Sequence, residues 1–152
     1  MTDKELTENG LYQSIAEVIA QARQQVRQAV NQHMVQAYWH VGRLIVEQEQ
    51  QGQERAEYGK QQLKHLSERL QGEFGKGFDV TNLRNMRRFY LAFPIRETVS
   101  IELSWSHYNL LARIDNAQAR KWYMQEAVHQ NWGVRALERQ IGWGCHKFCV
   151  WA

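Results

Sequence analysis

The sequence predicts an all-α fold, and three observations support this prediction. Pro94 is the single proline among 152 residues, so little in the chain interrupts helices. Residues that favour helices, such as glutamine, glutamate, arginine, leucine and alanine, are abundant, whereas alternating β-branched residues are scarce. Apolar residues also recur at spacings of three and four. We therefore expect a long N-terminal amphipathic helix, or a pair of helices, followed by a helical domain with a helix-turn-helix outline.

The composition limits the class of protein. A chain of 152 residues is the size of one compact domain, or of one domain with a long helical extension. The mean hydropathy is -0.64, and no apolar run approaches the roughly 20 residues that cross a bilayer. The residues from Met1 to Glu8 lack the features of a secretory signal, and the two cysteines suit a reducing compartment. We expect a cytoplasmic protein without a membrane partner.

Basic residues are concentrated in the middle of the chain. The net charge is +3, but Met1 to Glu54 carries 4 basic and 7 acidic residues. From residue 60 to residue 96 there are 3 acidic residues and 8 basic ones, which are Lys60, Lys64, Arg69, Lys76, Arg84, Arg87, Arg88 and Arg96. Such clustering is typical of a protein that binds a polyanion, although a helix pair with a solvated basic face shows the same pattern.

Residues 1–54 are expected to form a long helical segment, either continuous or broken near Asn31. A continuous helix is too long for one small domain to cover its apolar stripe, so a partner chain or a folded-back helix must cover it. We expect either a homodimer through this segment or an ordinary core helix pair. The apolar positions with helical spacing are Leu11, Ile15, Val18, Ile19, Ala22, Val26, Val30, Met34, Ala37, Val41, Leu44 and Ile45.

Residues 55–141 are expected to form a helix-turn-helix-like domain. A connector rich in glycine and polar residues leads to a helix from Lys60 to Phe74. Gly75 suits the C-cap of that helix, and Asp79 or Thr81 suits the N-cap of the next one. The next helix should end before Pro94, because the residue before a proline disfavours the α region. The inward residues of the first helix are predicted to be Leu63, Leu66 and Leu70.

Three shorter helices are expected after Pro94. We predict helices that end near Ile114, that run from Ala117 to about Gln130, and that run from Val134 to Ile141. Their candidate N-caps are Ser104 or Ser106 for the first and Asp115 or Asn116 for the second. The buried side of the second is predicted to hold Trp122, Tyr123, Ala127 and Val128.

The helix that starts near Val80 has an apolar side and a polar side. The residues predicted to pack inward are Val80, Leu83, Met86, Phe89 and Tyr90. The polar side carries Thr81, Asn82, Arg84, Asn85, Arg87 and Arg88. Two helices joined by a glycine-containing turn, the second of them basic, match the outline of a helix-turn-helix unit.

This polar side carries the residue types that contact DNA. Arginine binds guanine edges, asparagine binds adenine edges, and threonine or a helix N-terminus holds a phosphate oxygen, for which Thr81 is placed. Recognition helices enter the groove by their N-terminal end, so the candidates for base edges are Asn82, Arg84 and Asn85. The candidates for the phosphate backbone are Lys76, Arg87 and Arg88. The alternative is that Arg87 and Arg88 form a solvated face that pairs with neighbouring carboxylates.

A series of motifs runs in order through most of the chain: Tyr58-Gly-Lys60, Leu66-Ser67, Phe74-Gly-Lys-Gly-Phe78, Asn82-Leu83, Met86-Arg87, Phe89-Tyr90, Leu103-Ser-Trp-Ser-His-Tyr108, Leu110-Leu111, Asn131-Trp132, Val134-Arg135 and Leu137-Glu-Arg-Gln-Ile141. This series resembles the N-terminal domain of the YhcG-like nucleases. Members of that family typically join a helical N-terminal module to a nuclease of the PD-(D/E)xK class. The resemblance implies a targeting role for this part and cleavage for the missing part. The order of elements is also similar, over fewer residues, to the DNA-binding core of ParB-type partition proteins.

The last residues depart from the family pattern. Family members continue beyond Ile141 into more helix and the nuclease, whereas this chain runs from Gly142 to Ala152 and stops. We expect residues 142–152 to be an atypical tail, as in a truncation or frameshift product. A nuclease of that class needs acidic residues and a lysine around a hydrated metal, and the sequence offers no Asp/Glu pair followed by Glu-x-Lys. We expect no catalytic residue in this chain.

Two other groups of residues were weighed for chemistry. Cys145, His146 and Cys149 could ligate zinc, but no second ligand pair lies nearby. His107 suits a capping or core-edge role, because no nucleophile or carboxylate is placed to work with it. We therefore expect neither a metal nor a cofactor.

The sequence thus predicts a non-catalytic DNA-binding and targeting module. Its expected partners are duplex DNA and a second copy of the chain. The alternative is a helical interaction scaffold whose basic face binds an acidic partner protein. Groove binding should weaken with salt, with a slope of roughly -0.9 per phosphate contact.

Overall fold

A computed structural model describes the backbone of residues 2–51 and 56–148, and the side chains of residues 2–51 and 59–144. Within these ranges the protein is all-α, which confirms the predicted fold class. The helices are α1 (Asp3–Gln51), α2 (Ala56–Phe74), α3 (Val80–Ala92), α4 (Trp105–Leu111), α5 (Ala117–His129) and α6 (Val134–Phe148), with a 3-10 turn at Arg96–Thr98. None of the helices in these ranges combines the length and the apolar character needed to span a membrane.

The N-terminal segment is one continuous helix. Helix α1 passes through Asn31 without a break, and at 1.5 Å per residue it is about 74 Å long. The Asn31 side chain instead donates a hydrogen bond to the Leu103 carbonyl at 3.2 Å. The two halves of α1 differ, because the side chains of residues 3–30 are exposed, apart from half-buried Ala16, while Val35, Trp39 and Val46 are buried. The C-terminal half of α1 therefore belongs to the same core as the later helices.

Helices α1 and α3 cross in direct backbone contact at Gly42. A Cβ at this position would overlap the Met86 carbonyl oxygen, and it would lie 2.8 Å from the carbonyl carbon and 3.0 Å from Tyr90 Cβ. Near the crossing, the Trp39 indole N–H donates a buried hydrogen bond of 2.7 Å to the Phe93 carbonyl. Glycine thus lets the helices meet, and the tryptophan fixes the end of α3 against α1.

The core forms between the inner side of α3 and the later helices. Leu83, Met86 and Phe89 are fully buried, as predicted, and Val80 and Tyr90 are partly buried. The Phe89 ring stacks on Tyr108 of α4 with centroids 4.8 Å apart. The Tyr108 hydroxyl donates to the Ser100 carbonyl at 2.8 Å, and burial raises the pKa of this tyrosine, which keeps the donor protonated.

The predicted helix caps are largely confirmed. The N-caps are Asp79 for α3, Ser104 for α4 and Asn116 for α5, each accepting a hydrogen bond from a backbone N–H of its helix. Helix α4 ends at Leu111 and not near Ile114, because its last turn tightens into hydrogen bonds between residues three apart.

Helix α6 is longer than predicted and continues past Ile141 to Phe148. Gly144 permits this extension, since a Cβ there would overlap the Tyr123 hydroxyl and lie 2.8 Å from Tyr123 Cζ. Gly144, which lies in the predicted tail, is therefore a packing site against α5.

Two residues predicted to be buried are exposed. Leu66 of α2 and Trp122 of α5 each expose 37% of their surface. Helix α2 is held at its centre by Ser67, which is buried and donates a 2.7 Å hydrogen bond to the Phe78 carbonyl. This anchor turns Leu63 and Leu70 toward the α1–α3 crossing and leaves Leu66 at the surface.

Trp122 lies at the outer edge of α5, where its ring contacts that of Tyr123 edge to face, with centroids 5.0 Å apart.

Replacing Gly42 with alanine should destabilise the fold. The added methyl group overlaps a backbone carbonyl that cannot rotate away, so α1 and α3 must separate. We expect the free energy of unfolding to fall by about 2 kcal/mol or more, as in overpacked cores, in urea denaturation followed by circular dichroism.

Gly72→Ala is the matched control for this substitution. Gly72 lies in α2, where a Cβ would meet no atom within 4 Å, so alanine should stabilise the protein by roughly 0.5–1 kcal/mol. Equal effects of the two substitutions would show that the backbones of α1 and α3 do not meet closely at Gly42.

Candidate nucleic-acid interface

The turn between α2 and α3 depends on two glycines with positive φ. Gly75 has a φ of 82° and its N–H donates to the Gln71 carbonyl at 3.0 Å, which confirms the predicted C-cap of α2. Gly77 has a φ of 111°, a conformation that other residues rarely adopt. The chain then enters α3 at Asp79, whose carboxylate accepts a 3.0 Å hydrogen bond from the Asn82 N–H. These local constraints fix the direction in which α3 leaves the turn.

Helix α3 exposes the side opposite its core residues. Thr81, Arg84 and Arg88 are exposed and Asn85 is half-buried, and these four residues are called the α3 polar face below. Within the described part of the chain, neither arginine of this face forms an ion pair or a hydrogen bond. Both guanidinium groups can therefore bind an external anion without breaking an internal contact.

Arg87 lies at the margin of this face and is paired within the chain. Its Nε donates to both carboxylate oxygens of Glu49 at 2.8 and 2.9 Å, and both side chains are about two-fifths exposed. The salt-bridge alternative thus applies to Arg87 but not to Arg88. Because exposed ion pairs contribute little to stability, Arg87 can exchange this carboxylate for another anion at small cost.

Asn82 has a structural task in the turn. Its side-chain Nδ2 donates to the Gly77 carbonyl, and its backbone N–H is the one capped by Asp79. The Asn82 amide donor that would read an adenine edge is therefore occupied. The Asp79 carboxylate caps α3 at the Asn82 N–H, so this backbone amide is not free to hold a phosphate.

Lys76 stands at the tip of the turn and is exposed. A shallow polar groove beside it joins the turn to the start of α3. The groove is lined by Gln71, Lys76, Gly77, Asp79, Thr81, Asn82 and Asn85. Of the predicted site residues, the structure thus brings Lys76, Thr81, Asn82 and Asn85 together around the groove. Arg84 and Arg88 are exposed on α3 outside the groove lining.

One exposed residue of this region was missed in the sequence. Leu91 is 50% exposed and follows Arg84 by seven residues, which places it on the same side of α3. The helical spacing could have identified it, because residues seven apart lie on the same side of a helix. The α3 polar face is therefore followed, toward the C-terminus of α3, by an exposed apolar side chain.

The other candidate residues, for catalysis or zinc binding, either have structural roles or lie outside the described residues. His107 accepts a hydrogen bond from the Ser104 N–H at Nδ1, and its Nε2 lies 2.8 Å from the Trp132 carbonyl, so it caps α4 and joins it to the turn before α6. Among the side chains that the structure describes, no three His, Cys, Asp or Glu residues are grouped as metal ligands. Cys149 and the side chains of Cys145 and His146 lie outside the described residues.

These features define an all-α domain built on one long helix, with a basic helix displayed beside a short turn. Residues 14–147 match the model of the DUF1016 N-terminal domain, and the chain belongs to that family. It is 36% identical over 163 residues to a protein of Escherichia coli K12 named "Putative nuclease YhcG", which confirms the resemblance to the YhcG-like proteins. The match covers 86% of this chain and 44% of that relative, so the chain spans less than half the relative's length. No solved structure matches the chain.

Removing the N-cap of α3 should destabilise the protein. Asp79→Ala takes away the acceptor for the Asn82 N–H, and such caps contribute about 1 kcal/mol. We expect a decrease of that size in the free energy of unfolding by urea denaturation. Asp115→Ala removes an exposed carboxylate next to the α5 cap, where the capping residue is Asn116, and should change stability by less than about 0.5 kcal/mol. If the two variants were equally stable, the Asp79 carboxylate would not be capping α3.

Proposed function

We propose that this chain is a DNA-binding and targeting module in which α2, the turn and α3 act as a helix-turn-helix unit. The observation that carries the proposal is the contrast between the two sides of α3. One side is fully buried and fixed against α1, while the other presents Arg84 and Arg88 without internal partners. A rigid helix with free guanidinium groups is suited to insertion into the major groove of duplex DNA.

Each residue of the site has a role that its position supports. Arg84 and Asn85, in the first half of α3, are the candidates for base edges. Arg88 and Lys76 face the phosphate backbone from the two ends of the site, and the Thr81 hydroxyl binds a phosphate oxygen. Leu91 can meet a sugar or a thymine methyl group at the far end.

Asn82 and Arg87 keep smaller roles in the proposal. Asn82 shapes the turn, and its side-chain oxygen remains available as an acceptor. Arg87 reaches a phosphate only when it leaves Glu49.

Charge supports a polyanionic ligand. Residues 60–96 carry 8 basic and 3 acidic residues, and Lys60, Lys64 and Arg69 are exposed on α2. Binding of such side chains to phosphates releases counterions and makes affinity depend on salt. The same charges would fit an acidic protein, so binding to duplex DNA has to be compared with binding to an acidic polypeptide.

The link to cleavage comes from the relative. Its printed name describes a nuclease, and the match leaves more than half of its length uncovered. We assign cleavage to that uncovered part, and we assign DNA binding to the part of the relative that this chain matches. This division places the module where DNA is found, which in a bacterium is the cytoplasm.

The double variant Arg84→Ala/Arg88→Ala tests the proposal. Since one arginine contact to a base or phosphate contributes roughly 1–3 kcal/mol, we expect at least a tenfold loss of affinity for a 30-base-pair duplex at fixed salt. The slope of log affinity against log salt should also become shallower by about 0.9 for each phosphate that the variant no longer neutralises. Fluorescence anisotropy measures both quantities.

Arg135→Ala/Arg139→Ala is the matched control, because it removes two exposed arginines from α6, which packs on α4 and α5. It should retain most of the affinity. Equal losses in the two double variants would mean that α3 is not the recognition helix. Tighter binding to poly-glutamate than to duplex would favour an acidic protein partner.

Releasing Arg87 should strengthen DNA binding. Glu49→Gln removes the carboxylate that holds the guanidinium and one negative charge beside the α3 polar face. We expect a severalfold gain in duplex affinity, with unfolding free energy changed by less than about 1 kcal/mol because the pair is exposed. Glu47→Gln, which breaks the 3.5 Å Arg43–Glu47 pair in the same helix, makes the same charge change as a control. An equal gain from Glu47→Gln would show that net charge, and not the release of Arg87, is responsible.

A further inference from the structure

The N-terminal half of α1 presents an apolar stripe that nothing in the described chain covers. Within residues 3–30 the side chains are exposed, apart from Ala16, which is half-buried. The stripe is formed by Leu11, Ile15, Val18, Ile19, Val26 and Val30, which are 47–66% exposed. Contiguous apolar surface on this scale is uncommon on a monomer and marks an interaction site.

The spacing of the stripe suits another helix as its partner. Ile15 and Val26 are eleven residues apart, and so are Ile19 and Val30. A repeat of eleven residues corresponds to three helical turns, so the stripe stays nearly straight along α1. A straight apolar line of this kind packs against a second helix lying along it.

The stripe is separate from the side of α1 that packs on its own domain. Val35, Trp39 and Val46 are buried in the core, whereas Met34 and Leu44, on the continuation of the stripe, are 39% and 59% exposed. Helix α1 therefore has one apolar side for its own domain and another for a partner outside it.

The size of the surface matches a specific association. Six large apolar side chains, each about half exposed or more, supply a large part of the roughly 800 Å² that each partner contributes to a standard interface. Residues 3–30 also form about 42 Å of helix whose side chains are exposed, apart from Ala16, and most helices in proteins depend on tertiary packing. A partner along the stripe supplies the missing packing.

The charges along this half of α1 identify the partner and its direction. Glu5 and Glu8 lie near the N-terminus, while Arg23 and Arg27 lie near the end of the exposed half. None of them forms an ion pair in the described chain. A parallel second copy would place these like charges side by side, whereas an antiparallel copy places Glu5 and Glu8 opposite the partner's two arginines.

We propose that two copies of this chain pair in an antiparallel manner along residues 3–30 of α1. The two-fold axis lies near Ala16, where Ile15 of one copy packs on Val18 of the other. Glu8 faces the partner's Arg23, and Glu5 faces the partner's Arg27. This pairing uses a different part of the chain from the α3 polar face, so it does not rest on DNA binding.

The oligomeric state of the full 152-residue chain is the first test. Sedimentation equilibrium should show a dimer for the unchanged chain and at least ~100-fold weaker association for Ile15→Glu/Ile19→Glu, because buried unpaired carboxylates are strongly unfavourable. Gln13→Glu/Gln24→Glu adds the same charge on the opposite side of α1 and should stay dimeric. Tryptophan fluorescence during unfolding reports whether the helical domain of each variant is intact, because none of the six tryptophans lies within residues 3–30.

The orientation is tested by cross-linking. In a background with Cys145→Ser and Cys149→Ser, the variants Glu8→Cys and Arg23→Cys are made separately, one with a mass tag, and mixed under mild oxidation. The antiparallel pairing predicts disulfides between the two different variants, while a parallel pairing predicts disulfides within each variant.

Three results would overturn the proposal. The unchanged chain could be monomeric at tens of micromolar, the Ile15→Glu/Ile19→Glu variant with an intact domain could remain dimeric, or the disulfides could form within each variant. None of these results changes the outcome expected for the arginine variants of α3 in DNA binding, so the two proposals fail separately.

Discussion

The contact between Gly42 of α1 and the Met86 carbonyl of α3 is the constraint on which the rest of the structure depends. Backbones this close leave no room for a side chain between them. The crossing therefore sets both the distance between α1 and α3 and the direction of α3. The indole hydrogen bond from Trp39 to the Phe93 carbonyl fixes the same helix at its other end. Because α3 is held in this way, its position does not depend on α2, which packs on the core through Ser67, Leu63 and Leu70.

The division of α3 into two sides follows from this constraint. Leu83, Met86 and Phe89 have no exposed surface, so the helix cannot rotate about its axis without opening the core. The outward direction of Arg84 and Arg88 is therefore decided by the apolar residues behind them. A rigid support of this kind lowers the conformational entropy that a binding surface loses when it meets a ligand.

Local signals in the sequence predicted most of the fold, while contacts between distant residues could not be predicted. Gly75, Asp79 and Ser104 mark helix ends through hydrogen bonds that span a few residues, and each lies where expected. The pairing of Arg87 with Glu49 joins residues 38 apart, and the exposure of Leu66 depends on how α2 sits on α1. Gly144 lies in the predicted tail, and its packing on Tyr123 could not be predicted because the two residues are close only in the folded chain. The sequence predicted which residue types form the candidate site. It could not predict that Asn82 and Arg87 already form hydrogen bonds within the chain.

The length of α1 has a consequence for the geometry of any assembly. From Ala16 to Gly42 the helix extends roughly 39 Å at 1.5 Å per residue, so two copies joined near Ala16 would hold their basic helices about 80 Å apart. Adjacent operator half-sites on one duplex lie only about 34–36 Å apart. Under the proposed pairing and the proposed DNA binding, a rod of this span would suit two separate duplexes, or two distant points on one looped molecule, and would act as a molecular bridge between them.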